Sequence, residues 1–269
     1  MHAMTDDRDE LRALYIDLLG NALTHSFWTP VAPARKGIPE ALKRVAPSVF
    51  GYPKSNAKDF EEGRGWPELA HTMIGLRRMD NLRHCVETAI RDGVEGDLIE
   101  TGVWRGGACI FMRGILKAYG CTDRRVWVAD SFAGLPPPDV SRAPADRDDK
   151  HHRYDDLAVS LERVQENFRT FSLLDEQVRF LKGWFKDTLP GAPIERLAVC
   201  RLDGDMYEST DDALRNLYDK LQPGGFLIVD DYGAVPACRQ AVEDFRRSRG
   251  IDEPIQQIDW TGIYWRKAG

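Results

Sequence analysis

No run of apolar residues in this 269-residue chain approaches the length of a membrane span. The first residues, Met1-His2-Ala3-Met4-Thr5-Asp6-Asp7, are acidic and carry no apolar signal core, so export is not expected and the cytoplasm is. Cysteine is scarce and scattered: Cys85, Cys109, Cys121, Cys200 and Cys238 are odd in number and form no Cys-x-x-Cys pair. Free thiols in a reducing compartment are expected, and no disulfide framework. Positive charge is not in excess, since the formal net charge is −6, which argues against a nucleic-acid partner. No internal repeat stands out. With 42% apolar and 30% charged residues, the chain is a folded globular protein and not a disordered one.

What is present is an alternation of strand-like and helix-like segments. Residues 6–25 carry Leu11, Leu14, Tyr15, Leu18 and Leu19 at helical spacing, an amphipathic pattern that suits an interface helix. Residues 26–67 are rich in Pro, Gly and Lys/Arg and read as an irregular excursion or cover, with Arg35, Lys36, Lys43 and Arg44 as a solvated face. The helical period returns from Glu68 to Arg91 and stops at Gly93. Strands are expected at Asp97 to Thr101, Arg125 to Ala129, Val178 to Leu181, Leu197 to Leu202 and Gly225 to Val229, and helices at about 107–119 and 157–171. Residues 132–156 form a long polar loop, of a length that is usually a lid or disordered. Residues 255–266 read as two short terminal strands, antiparallel to the rest. The expected fold class is α/β: a Rossmann-like, doubly wound, mostly parallel sheet with a terminal antiparallel strand, preceded by an N-terminal helical extension and lid over residues 1–92.

Two of the expected strands end in aspartates: Asp203-Gly204-Asp205 and Asp230-Asp231. In an open parallel sheet, ligands bind outside the carboxyl ends of the strands. If the two strands are neighbours, four carboxylates converge on one crevice. That is costly unless a cation neutralises them, and all-oxygen ligation suits Mg²⁺ or Mn²⁺. Asp203, Asp230 and Asp231 are the expected ligands.

The first strand closes on Glu100-Thr101-Gly102-Val103-Trp104-Arg105-Gly106-Gly107. A dinucleotide site would want Gly-x-Gly-x-x-Gly to seat a pyrophosphate. Here an acid, Glu100, precedes the first glycine, and the spacing is Gly-x-x-x-Gly-Gly. That suits a ligand with a positive centre and no phosphate, such as S-adenosylmethionine. Asp130, at the tip of the second strand, is placed to chelate both ribose hydroxyls. A plain strand–helix connection is the other reading of the glycine turn alone.

The chain resembles the macrocin O-methyltransferase family. The resemblance is carried by Thr72 to Leu82, Gly96 to Gly107, Val128 to Pro136, Leu181 to Pro190, Asp203 to Thr210, and Val229 to Gly233. Gly183-Trp184-Phe185-Lys186-Asp187-Thr188-Leu189-Pro190 is its most specific run. It implies a class I methyltransferase fold over residues 93–269, S-adenosylmethionine as donor and Mg²⁺ dependence. It also implies a small-molecule glycoside acceptor of the antibiotic type, macrolide or aminocoumarin, and a homo-oligomer. The first 65 residues match less clearly, and acceptor specificity is expected there.

A sugar hydroxyl is a poor nucleophile at neutral pH. A divalent cation lowers its pKa, and an adjacent base then takes its proton. Asp205 is the expected base; a helix cap or turn residue is the competing reading. Catechol-type methyltransferases resemble this chain but carry a lysine where it has Met206. Trp184 is expected to flank the adenine, or else to pack in the core. Ser131 and Gly183 are expected adenosine contacts, and Thr72 and Met73, on the helix before the domain, are expected to close over the donor, with core packing as the other reading of Met73. His151 and His152 read as solvent-facing, with a lid contact to the acceptor as the other reading. A phenol O-methyltransferase and a non-catalytic S-adenosylmethionine-binding partner stay open as alternatives.

Overall fold

The computed structural model describes residues 3–28, 61–65 and 67–269. The basic residues 35–44 and most of the irregular excursion lie outside them. In chain order the main elements are helix α1 (Ala3–Leu23), α2 (Leu76–Arg91), β1 (Asp97–Thr101), α3 (Gly107–Ala118), β2 (Val126–Asp130), α4 (Leu161–Thr170) and β3 (Val178–Lys182). They continue with the single turn α5 (Phe185–Thr188), β4 (Leu197–Leu202), α6 (Tyr207–Leu217), β5 (Leu221–Val229), α7 (Pro236–Arg249), β6 (Gln256–Gln257) and β7 (Ile263–Arg266).

One sheet of seven strands runs in the order β3-β2-β1-β4-β5-β7-β6. The first five strands are mutually parallel, and β7 returns antiparallel against β5. This is the doubly wound sheet with an antiparallel edge that the alternation predicts. Burial on both faces makes the inner strands continuous apolar runs; every residue of β4 is buried, Arg201 included. The two-residue period of a strand then divides the core. Leu98, Val128 and Val199 face a cluster built with α1, α2, α3 and α4, whereas Ile99, Trp127 and Cys200 face one built with α6 and α7.

Two boundaries differ from the sequence pattern. The second helix begins at Leu76 and not at Glu68. Gly75 is extended (ψ 174°), and Ile74 donates its amide to Thr72 Oγ1 at 3.3 Å, so local turn bonding wins over helical period. Thr72 and Met73 therefore sit on a connecting segment and not on the helix. Strand β5 begins at Leu221, ahead of Gly224 and Gly225, and its pairing with β4 shifts register between Leu197 and Val199. The chain enters β5 through that irregularity.

The site is fixed by strand order. Chain connections run one way from β1 to β2 and the other way from β4 to β5, so a crevice opens above the β1–β4 boundary. Leu202 of β4 lies level with Thr101 and with Val229, which brings the residues after all three strands to one rim.

Candidate active site

Two cavities meet at this rim. The first is lined by Gly102, Asp130, Ser131, Trp184 and Asp203, with Trp104, Leu135, Phe185, Asp139 and Glu208 among the other residues of its walls. The second is lined by Arg78, His151, Asp230, Asp231, Trp260 and Thr261. Met73, Leu157, Asp203 and Asp205 line both.

In the first cavity Asp130 is held by backbone: Val103 N donates to Oδ2 and Phe132 N to Oδ1, each at 2.7 Å. Burial raises its pKa, and the amides of Val103 and Phe132 oppose the rise. Ser131 Oγ donates to Gly134 O at 2.6 Å and shapes the turn under Leu135. Trp184 ends the segment after β3 and faces this cavity, so it is not a core tryptophan. Of the other residues expected to contact a cofactor, Thr72, Glu100, Thr101 and Gly183 stand outside the lining. Gly183 supports it from behind, its amide donating to Asp130 O at 2.9 Å. Thr101 is fully buried, and its Oγ1 has no hydrogen-bond partner.

Glu100 lies beneath the cavity floor. Its Oε1 accepts from Arg201 Nη1 at 2.6 Å and its Oε2 from the Cys109 thiol at 3.0 Å. The positive charge it faces is thus supplied by the protein, and Glu100 lines neither cavity. Arg201 binds Glu100, Asp203 (2.8 Å) and Asp230 together, and Arg78 binds Asp230 and Asp259 (3.0 Å). Both guanidiniums are buried. The network joins β1, β4, the segment after β5, α2 and the turn before β7.

Against these two cations stand Glu100, Asp203, Asp205, Asp230, Asp231 and Asp259, so the site is short of positive charge. Burial, with neighbouring carboxylates adding to it, raises Asp203 to about 6 and Asp205 to about 7. Asp231 is raised well above its ordinary value for the same reasons, and burial takes Glu100 to about 7. Among the described residues, Asp203, Asp205 and Asp231 each offer an oxygen within 4.8 Å of the others. Asp230, expected from the sequence in that group, is instead clasped by the two arginines, one on each oxygen. Hard carboxylate oxygens short of a counter-charge fit a divalent cation such as Mg²⁺.

Asp205 sits in the left-handed region (φ 55°), an uncommon conformation for a residue with a Cβ. It does not cap α6. The first amides of that helix, Tyr207 N and Glu208 N, donate to Asp146 Oδ1 (2.7 Å) and Oδ2 (2.9 Å) from the long loop. Met206 is fully buried. His151 lines the second cavity, contrary to a solvent-facing reading. The sequence reading also missed Arg78 and Arg201; the only sign of Arg201 was a charge inside an apolar strand.

A doubly wound sheet of this order, with an acid on β2, a glycine turn after β1 and acids after β4 and β5, has the arrangement of a class I methyltransferase. The family model described as macrocin-O-methyltransferase (TylF) matches residues 12–267, and the chain belongs to that family. It is 53% identical over 264 residues to the 8-demethyl-8-(2,3-dimethoxy-alpha-L-rhamnosyl)-tetracenomycin-C 4'-O-methyltransferase of Streptomyces olivaceus, covering 98% of this chain and 95% of that protein. It is 57% identical over 211 residues to the mycinamicin III 3''-O-methyltransferase of Micromonospora griseorubida, covering 77% and 83%. Among solved structures, the O-methyltransferase NovP aligns with a TM-score of 0.85 at 49% identity, covering 96% of this chain and all of that one. Among the described residues no helix is long and apolar enough to cross a membrane.

Proposed function

We propose that this enzyme moves a methyl group from S-adenosylmethionine to a sugar hydroxyl of a glycosylated natural product, with Mg²⁺ as a required ion. The observation that carries the reading is the pair of cavities joined at Asp203 and Asp205. One has the shape of a donor site: Asp130 offers carboxylate oxygens at a strand tip for a ribose diol, and Trp184 offers an aromatic wall for adenine. The other has the polarity of a sugar site, acidic at its base and walled by Trp260. The relatives' names support an acceptor of this class, since they act on a rhamnosyl-tetracenomycin and on mycinamicin III.

When bound, S-adenosylmethionine supplies the methyl group, and a divalent cation would lower the pKa of the acceptor hydroxyl. Asp203 and Asp231 would hold that ion, with Asp230 behind them tied to Arg78 and Arg201. Asp205 takes the hydroxyl proton. A carboxyl raised to about 7 is matched to that task near neutral pH, and its strained backbone keeps it between the two cavities. Gly102 lets the turn after β1 pass close to the Asp203 carbonyl at the cavity rim, and the buried Met206 offers no lysine in this turn.

The test is methylation of 8-demethyl-8-(2,3-dimethoxy-alpha-L-rhamnosyl)-tetracenomycin C and of mycinamicin III with S-adenosylmethionine, in Mg²⁺ and in excess EDTA. Gain of one methyl on the sugar, lost in EDTA, is expected. Full turnover in EDTA overturns the metal part. Failure to bind S-adenosylhomocysteine in calorimetry overturns the donor assignment.

A further inference from the structure

The loop between β2 and α4 is tied down at both ends. Asp146, only 1% exposed, takes two amides of α6 as described above, and Arg142 pairs with Glu208. At the far end the Trp104 indole donates to Asp156 O at 2.8 Å. Between these anchors Asp149, whose side chain is 8% exposed, accepts from His151 N at 2.9 Å and meets His151 Nδ1 at 2.6 Å. A carboxylate only accepts, so Nδ1 carries the hydrogen of that contact. Among the described residues the ring's other nitrogen, Nε2, has no hydrogen-bond partner, and the residue lines the cavity with Asp203, Asp205 and Asp231. A turn that merely closed the loop would need Asp149 and the backbone, not an imidazole at the cavity wall.

We propose that His151 is an acceptor-recognition residue. Its Nε2 hydrogen-bonds the sugar oxygen next to the hydroxyl that is methylated, with Asp149 fixing the ring. A sugar hydroxyl both donates and accepts, so Nε2 serves with or without a proton. Asp205 and Asp149 also favour the charged ring electrostatically. The sugar is thereby gripped on two sides, by the acids at the strand tips and by a ring on the loop, and the distance between them selects which hydroxyl faces the donor. The assignment rests on the sugar-acceptor reading above and adds the residue that sets regiochemistry.

The experiment uses the full-length chain with 8-demethyl-8-(2,3-dimethoxy-alpha-L-rhamnosyl)-tetracenomycin C and mycinamicin III as acceptors. Steady-state kinetics, product NMR and S-adenosylhomocysteine calorimetry are run on wild type, His151→Ala, His151→Gln and Asp149→Asn. Loss of one hydrogen bond predicts an acceptor KM about tenfold higher in His151→Ala. Its products should be a mixture of methylated positions, and its affinity for S-adenosylhomocysteine should stay within about twofold of wild type, which also shows that it is folded. His151→Gln, whose amide reaches the place of Nε2, should recover most of the KM, and Asp149→Asn should fall between. Acceptor KM and product pattern unchanged in His151→Ala overturn the assignment and leave the function standing. A wild type that binds S-adenosylhomocysteine but methylates neither glycoside overturns the sugar reading, and the role of His151 with it.

Discussion

Gly102 and Asp203 meet backbone to backbone: a Cβ built on the glycine would lie 1.7 Å from the aspartate's carbonyl oxygen. The Asp203 amide also donates to Thr101 O at 2.8 Å, so the turns after β1 and β4 are clamped together where the two cavities join. Gly102 has φ 83°, which adds conformational strain to any substitution. Gly102→Ala is expected to cost about 3 kcal/mol or more in urea denaturation and to abolish S-adenosylhomocysteine binding. Gly191→Ala, with open space around its Cβ, is the control and should stay within about 0.5 kcal/mol. Equal behaviour of the two variants would show that the clamp yields easily.

Arg201 is the counter-charge for three acids that have little water. Arg201→Met removes it while keeping the strand apolar, and should cost about 3–5 kcal/mol at pH 7.5. Without the cation the carboxylates are harder to ionise, so the folded state holds more protons than the unfolded one and stability falls as pH rises. Part of the loss should therefore return at pH 5.5. A deficit of the same size at both pH values would mean that packing, and not charge, is what Arg201 supplies.

In the metal-free protein Asp203 and Asp205 sit at about 6 and about 7, against an ordinary 3.8. Folded values above unfolded ones give a contribution that is full at low pH and lost as pH rises through that window. A divalent cation binds the ionised form and reverses the loss. The rise in Tm caused by Mg²⁺ should be larger at pH 8 than at pH 5.5, and small at both in Asp203→Asn. The same Mg²⁺ shift at both pH values, or none, would refute the ion-binding role of this acid group.

Asp146 caps a helix to which it is not joined in sequence. Asp146→Ala should cost about 1–2 kcal/mol, the usual value of a lost cap. It should also speed proteolytic cutting within residues 139–157 while leaving the sheet resistant, as read by mass spectrometry of the fragments. Unchanged cutting there would mean that Arg142 and Trp104 suffice to hold the loop.

The parallel sheet was readable because buried strands are continuous apolar runs and the connecting helices keep their period. The aspartates were readable for the same reason: a charge just past such a run lies at a strand tip. Asp146 and Arg78 were not, and His151 was legible only as the second of two readings. Arg78 finds Asp230 across 152 positions and Asp146 finds Tyr207 across 61, and only the folded topology brings such partners together. Glu100 shows the converse. Its position at the tip of β1 was legible, but its orientation was decided by Arg201 and Cys109, which compete for it from below. The start of α2 was misjudged because residues 69–74 repeat apolar side chains at helical spacing, while Ala70 and Ile74 are in fact buried from a non-helical segment.

The wall of the second cavity is assembled from six separate stretches of the chain: residues 63–65, 73–78, 151–157, 203–205, 230–234 and 260–261. The donor side rests on strand tips locked by backbone contacts. Mutation can therefore explore new acceptors one patch at a time, provided that the shared Met73, Leu157, Asp203 and Asp205 are kept. For engineering, this makes the enzyme a chassis with exchangeable panels. Grafting residues 140–156 from a relative, which spares Asp139 and Leu157 of the donor cavity, is the smallest swap expected to alter what is methylated without altering what supplies the methyl.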